Sequence, residues 1–152
     1  MNWNAQDVEL YLQERDYIDT AVIPLLPISF QSGIRAAAEQ GEYTTLFSMH
    51  LERQFKGRML FFPPFTYVDE PETMIEMLQK WEEKIMESGF LHVFFLTSDG
   101  RWTSLQEHLK GSLFYVPSVP LQHMEDKYKH SIMEDQLKKM MPDIVGGWQR
   151  SQ

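Results

Sequence analysis

Phe90-Leu91-His92-Val93-Phe94-Phe95-Leu96 is apolar at every position except His92, and it stands between Gly89 and the turn-forming run Thr97-Ser98-Asp99-Gly100. A short, unbroken apolar run bounded by turn residues reads as a strand. A strand with one wet face would alternate polar and apolar residues. This one does not, so it is expected in a parallel sheet covered by helices on both faces. Met59-Leu60-Phe61-Phe62, stopped by Pro63-Pro64, has the same character, and Ser112-Leu113-Phe114-Tyr115-Val116, stopped by Pro117, is a further strand. Tyr17-Ile18-Asp19-Thr20-Ala21-Val22-Ile23 supplies the first strand, with Pro24 and Pro27 predicting an early end or an edge position.

Helical patterns fill the spaces between these strands. Asn4 is a suitable N-cap for a segment over Asp7 to Asp16. Ser29 or Ser32 can cap a helix through Ile34–Gln40 that Gly41 ends, and a second helix follows from Tyr43 to Lys56. Glu70-Pro71-Glu72 opens the clearest helix, with proline and acidic side chains suited to the first turn and a stripe of Met74, Leu78, Trp81 and Ile85. Trp102 to Lys110 reads as a short helix. The last helix, Gln122 to Met141, is predicted to stop at Pro142. Strands alternating with helices give an α/β fold, a three-layer sandwich with a mainly parallel sheet of about four strands, for which several right-handed orders are open, the flavodoxin-like 2-1-3-4 among them. Residues 1–145 form one expected domain, and residues 146–152 a C-terminal tail.

The composition bounds the function. The net charge of −8, with Lys and Arg scattered singly, argues against general nucleic-acid binding, which draws its affinity from clustered basic residues. With no cysteine, disulfides, thiolate metal sites and thiol chemistry are excluded. The N-terminus lacks the basic and apolar regions of a signal peptide, and no run of about 20 apolar residues could span a membrane. A soluble cytoplasmic protein is expected.

In open parallel sheets, ligands bind beyond the carboxyl ends of the strands. The segments just past the strands offer Ser29, Thr66, the run Thr97-Ser98-Asp99-Gly100-Arg101, and Ser118. Thr97, Ser98, Ser29, Thr66 and Ser118 could orient a ligand through hydroxyls. Asp99 is a candidate base, and Arg101 could hold a phosphate or carboxylate with its fork of donors. The plainer reading of Ser98-Asp99-Gly100 is a turn that caps a helix. Neither the dinucleotide-binding glycine pattern nor a Walker sequence occurs.

His50, His92, His108, His123 and His130 show no zinc-ligand spacing, so no metal is expected. A triad of Ser98, Asp99 and His123 would lack the nucleophile elbow. No cofactor is implied and no catalytic set survives. The carboxylates of Asp69-Glu70-Pro71-Glu72 and Glu82-Glu83 read as solvated surface charge. Ten methionines are notable. In the last helix Met133 and Met140, with Trp148 after it, flank the main stripe and could form a face for a protein partner or a second copy of the chain.

Asp16-Tyr17-Ile18-Asp19-Thr20-Ala21-Val22-Ile23-Pro24-Leu25, with Trp3 before it, resembles the YpiF-like family of uncharacterised proteins of Bacillus-type bacteria. The length and the lack of cysteine are similar over the whole chain. The resemblance implies an intracellular α/β protein of a Gram-positive bacterium and assigns no role to any residue. Two functions are therefore expected: a non-catalytic interaction or regulatory module of the cytoplasm, or a binder of a small anion or nucleotide-like ligand, and so a possible enzyme, at the carboxyl edge of the sheet.

Overall fold

The computed structural model describes residues 1–68 and 70–150. Its elements run α1 (Ala5–Gln13), β1 (Thr20–Pro27), α2 (Ile34–Gln54), β2 (Met59–Phe61), β3 (Phe65–Tyr67), a 3₁₀ turn (Pro71–Met74), α3 (Ile75–Glu87), β4 (His92–Thr97), a 3₁₀ helix (Gly100–His108), β5 (Ser112–Tyr115) and α4 (Asp126–Arg150). All strand pairs are parallel, in the order β2-β1-β4-β5, with β3 also against β1. If β2 and β3 are taken as one interrupted strand, this is the flavodoxin-like order.

The sheet separates two cores. Ala21, Ile23, Leu25, Val93 and Phe95 face α1, α3 and the 3₁₀ helix, where they meet Tyr11, Leu78, Ile85 and Trp102. Val22, Phe94 and Leu96 point the other way, into Tyr43, Phe47 and Leu51 of α2 and Met133, Leu137 and Ile144 of α4. The period of two in β1 and β4 assigns each side chain to its layer. The connection through α2 moves from β1 to β2, whereas that through α3 moves back past β1 to β4. Crossovers of one hand then require the two helices to lie on opposite faces, as they do.

β1 runs through Pro24 to Pro27 and lies in the middle of the sheet, so Pro24 neither ends it nor marks an edge. Hydrogen bonding explains why a central strand tolerates it. Thr20 N donates to Arg58 O at 3.2 Å, Phe62 N donates to Val22 O at 2.9 Å, and Ile28 N donates to Tyr67 O at 2.8 Å. Even-numbered residues of β1 therefore turn their backbone groups toward β2 and β3. Pro24 falls on that side, opposite the interruption at Pro63-Pro64, where the neighbouring strand has no donors to offer either. The two breaks coincide, so the ladder is interrupted at one place rather than two.

Three other expectations change. Gly41 does not end a helix: α2 passes through it as one element of 21 residues. Pro142 lies inside α4, which continues through Gly146-Gly147-Trp148 to Arg150, so those residues are helical and Ser151 and Gln152 lie outside the described residues. Glu82 is not a solvated charge. It is 2% exposed, and its carboxylate accepts from the backbone N–H groups of Lys110 at 3.0 Å and Gly111 at 3.1 Å. Asp69, of the other acidic run, also lies outside the described residues.

The carboxyl edge as a candidate functional site

β4 ends in a hydroxyl that continues the sheet's hydrogen bonding past the last ladder pair. Thr97 Oγ1 donates to Leu25 O at 3.0 Å and accepts from Asp99 N at 3.0 Å, which turns the chain sharply into the 3₁₀ helix. Asp99 is that helix's N-cap, and its side chain accepts from Arg101 N at 3.1 Å. The carboxylate also takes Arg101 Nε at 3.0 Å, an Arg101 terminal nitrogen at 2.8 Å and the phenol of Tyr67 at 2.7 Å. Trp102 Nε1 donates to the Tyr67 oxygen at 2.8 Å, closing the network from below.

This arrangement fixes the charges. Burial pushes the Asp99 carboxyl upward, but the donors from Arg101 and Tyr67 outweigh it and hold the group below its ordinary range. The Tyr67 phenol is pushed up, foremost by burial and then by its bond to Asp99. The Arg101 guanidinium is held charged, chiefly by the same carboxylate. On its outer side Arg101 donates to Glu70 at 3.1 Å. An ionised carboxylate with this many donors has little basicity left for proton abstraction, and a guanidinium between two carboxylates is already paired.

Of the residues expected to form a ligand site, Thr97, Ser98, Asp99 and Arg101 come together. Ser98 is buried and accepts from Thr44 of α2 at 3.0 Å. His123 sits at a φ of 69° in the loop before α4, and no hydrogen bond among the described residues joins it to Ser98 or Asp99. Thr66 is exposed on the wall of a neighbouring groove, Ser29 follows the Ile28 that lines it, and Ser118 lies beyond β5. Sequence reasoning missed Tyr67, Trp102 and Glu70. An aromatic hydroxyl at the end of a strand was the available signal, hidden by reading Pro63–Tyr67 as a loop.

The groove has a volume of about 650 Å³ and opens between the end of β1, α2 and the start of α4. Leu26, Ile28, Ala38, Leu46, Met49 and Leu121 give it apolar walls, and Glu42, Asp126 and Lys129 stand on its rim. Thr45 and Met49 also line a second hollow of about 320 Å³ that reaches Pro24, Phe62, Pro63, Pro64 and Trp3. The two form one trough across α2. Phe30, just past β1, is 76% exposed.

The face expected on the last helix is not available. Met133, Met140 and Trp148 are buried in the core between α4 and the sheet, because the helix is continuous and docks from Met133 through Trp148. Gly147 permits this: a Cβ there would stand 3.1 Å from the rings of Phe94 and Phe114. Among the described residues, no helix is long and apolar enough to cross a membrane.

Comparison with known proteins gives a family but no chemistry. A Bacillus subtilis (strain 168) protein described as uncharacterized protein YpiF is 40% identical over 148 residues, covering 97% of this chain and 98% of that one. No solved structure matches. The family model described as "Protein of unknown function (DUF2487)" matches residues 9–148, and with a relative this similar over nearly the full length, the chain belongs to the DUF2487 family.

Proposed function

We propose that this chain is a non-catalytic binding protein that seats an apolar segment of a partner protein in the trough between β1, α2 and α4. The observation that carries the reading is the contrast along the carboxyl edge. The polar groups there are bonded to one another, while the apolar groove beside them stands open. A volume of about 650 Å³ falls in the range of ligand sites, and apolar walls with a few charged rim groups are their usual composition. Continuation over Met49 into the second hollow suits an extended or helical segment better than a compact metabolite. An anion at Arg101 would have to displace Asp99 or Glu70 from its donors.

The test is selection of binding peptides from a displayed random library against the purified chain, followed by titration of the best of them. Selected peptides should carry large apolar residues and bind Met49→Glu and Leu46→Lys at least about ten-fold more weakly, a loss of about 1.4 kcal/mol or more. Peptides that bind those variants as tightly as the parent chain would defeat the proposal.

A further inference from the structure

We infer a divalent transition-metal site, with Zn²⁺ as the best-suited ion, formed by His50 of α2 and His130 and Glu134 of α4. The donor atoms of these three side chains lie within 4.8 Å of one another. Glu134 Oε1 stands 3.6 Å from His50 Nδ1 and 4.0 Å from His130 Nε2, and the two imidazole rings are 5.2 Å apart between centroids. Around a tetrahedral zinc ion with bonds of about 2.0–2.1 Å, neighbouring donors sit about 3.4 Å apart. Small rotations of the exposed His130 and the half-buried Glu134 would close the remaining distance to the buried His50.

The donor set matches the ion. Two imidazoles and one carboxylate are borderline ligands that suit zinc and cobalt, whereas magnesium and calcium prefer oxygen alone. His130 and Glu134 stand four residues apart, on one face of α4, which is the spacing that lets a helix present two ligands together. Three protein ligands leave a position for water.

An ion here would clip the second turn of α4 to the C-terminal part of α2. His50 follows Met49 and His130 follows Lys129, and both preceding residues line the groove. The site stands independently of what the groove binds.

The test uses the full chain after chelator treatment, with Zn²⁺ and Co²⁺ each added alone and followed by calorimetry and thermal unfolding. One equivalent of Zn²⁺ should bind and raise the midpoint by several degrees at saturation, by mass action on the folded state. Co²⁺ should develop visible d–d bands. His130→Ala and Glu134→Ala replace an exposed and a half-buried ligand, so they should unfold much like the parent chain without metal, yet bind at least about ten-fold more weakly and lose the bands. Absence of saturable binding by the parent chain overturns the inference. So does a His130→Ala/Glu134→Ala double variant that keeps the full shift, since the ion would then be held elsewhere.

Discussion

The indole Nε1 of Trp148 donates to Thr20 Oγ1 at 2.8 Å, a bond spanning 128 positions that ties the last turn of α4 to the first residue of β1. The Arg58 guanidinium lies 3.7 Å from the centre of the same indole, and Phe55 meets it edge-on. Trp148→Phe keeps most of the packing and loses this one hydrogen bond, while Thr20 Oγ1 still donates to Asp19 at 2.8 Å, so it should cost about 1 kcal/mol. Trp148→Ala empties the site and should cost about 3–5 kcal/mol. Urea unfolding measures both. A chain ending at residue 145 should be destabilised in the same sense, because residues 146–150 close the core.

Asp99 links stability to pH. Its folded pKa is depressed relative to an unfolded value of about 3.9, so its contribution is fully present above that value and is lost as pH falls through the folded pKa. Asp99→Asn should therefore cost about 2–3 kcal/mol at neutral pH, and the gap to the parent chain should narrow below about pH 4. Tyr67 acts at the other end. Its pKa is raised, so that stability holds below about pH 10 and declines above it. Unfolding curves across the range distinguish these slopes from a general loss.

Two glycines should respond in opposite directions. A Cβ on Gly41, in the middle of α2, would meet nothing within 4 Å, so Gly41→Ala should stabilise the chain by about 0.5–1 kcal/mol. A Cβ on Gly111 would fall 2.3 Å from the backbone oxygen of Val93, which cannot move without breaking the β4 ladder. Gly111→Ala should destabilise by more than about 2 kcal/mol. Paired thermal melts decide both.

Glu82→Ala should cost about 2–3 kcal/mol, since it leaves the amides of Lys110 and Gly111 without their acceptor at the entrance to β5. Hydrogen exchange at those two amides should quicken well beyond the effect on α2.

The layers and the parallel sheet followed from patterns of a few residues, whereas the strand order did not, since four parallel strands permit several right-handed arrangements. Phe90–Leu96 and Met59–Phe62 carry their burial in their own composition, and Leu78 and Ile85 repeat at the helical period. What was hidden depended on partners far away in the chain. Pro24 reads as a terminator until the gap at Pro63-Pro64 is set opposite it. Glu82 reads as surface charge until two amides from residues 110 and 111 converge on it. Met133, Met140 and Trp148 read as an unpartnered face because they flank the main stripe, and Pro142 with two glycines suggests an end that tertiary packing overrides. At the site, Asp99 and Arg101 were identifiable as types, but their mutual saturation, together with Tyr67, is a property of geometry. The spacing of His130 and Glu134 was visible in the sequence, whereas the arrival of His50 from another helix was not.

The matched breaks in β1 and its neighbour also matter when the chain is unfolded. Ala21-Val22-Ile23 and Leu25-Leu26 would together be a strongly β-prone, uncharged window, the kind that templates fibrils when exposed. Pro24 splits that window, and Pro27 bounds it, so an unfolded copy cannot zip against another without missing a donor at each proline. In the native sheet Pro63-Pro64 supplies a break at the same height on one side, and on the other Pro24 pairs in register with Leu96. Pro24 is thus accommodated in the fold, and aggregation during refolding is where its replacement by alanine should first be felt.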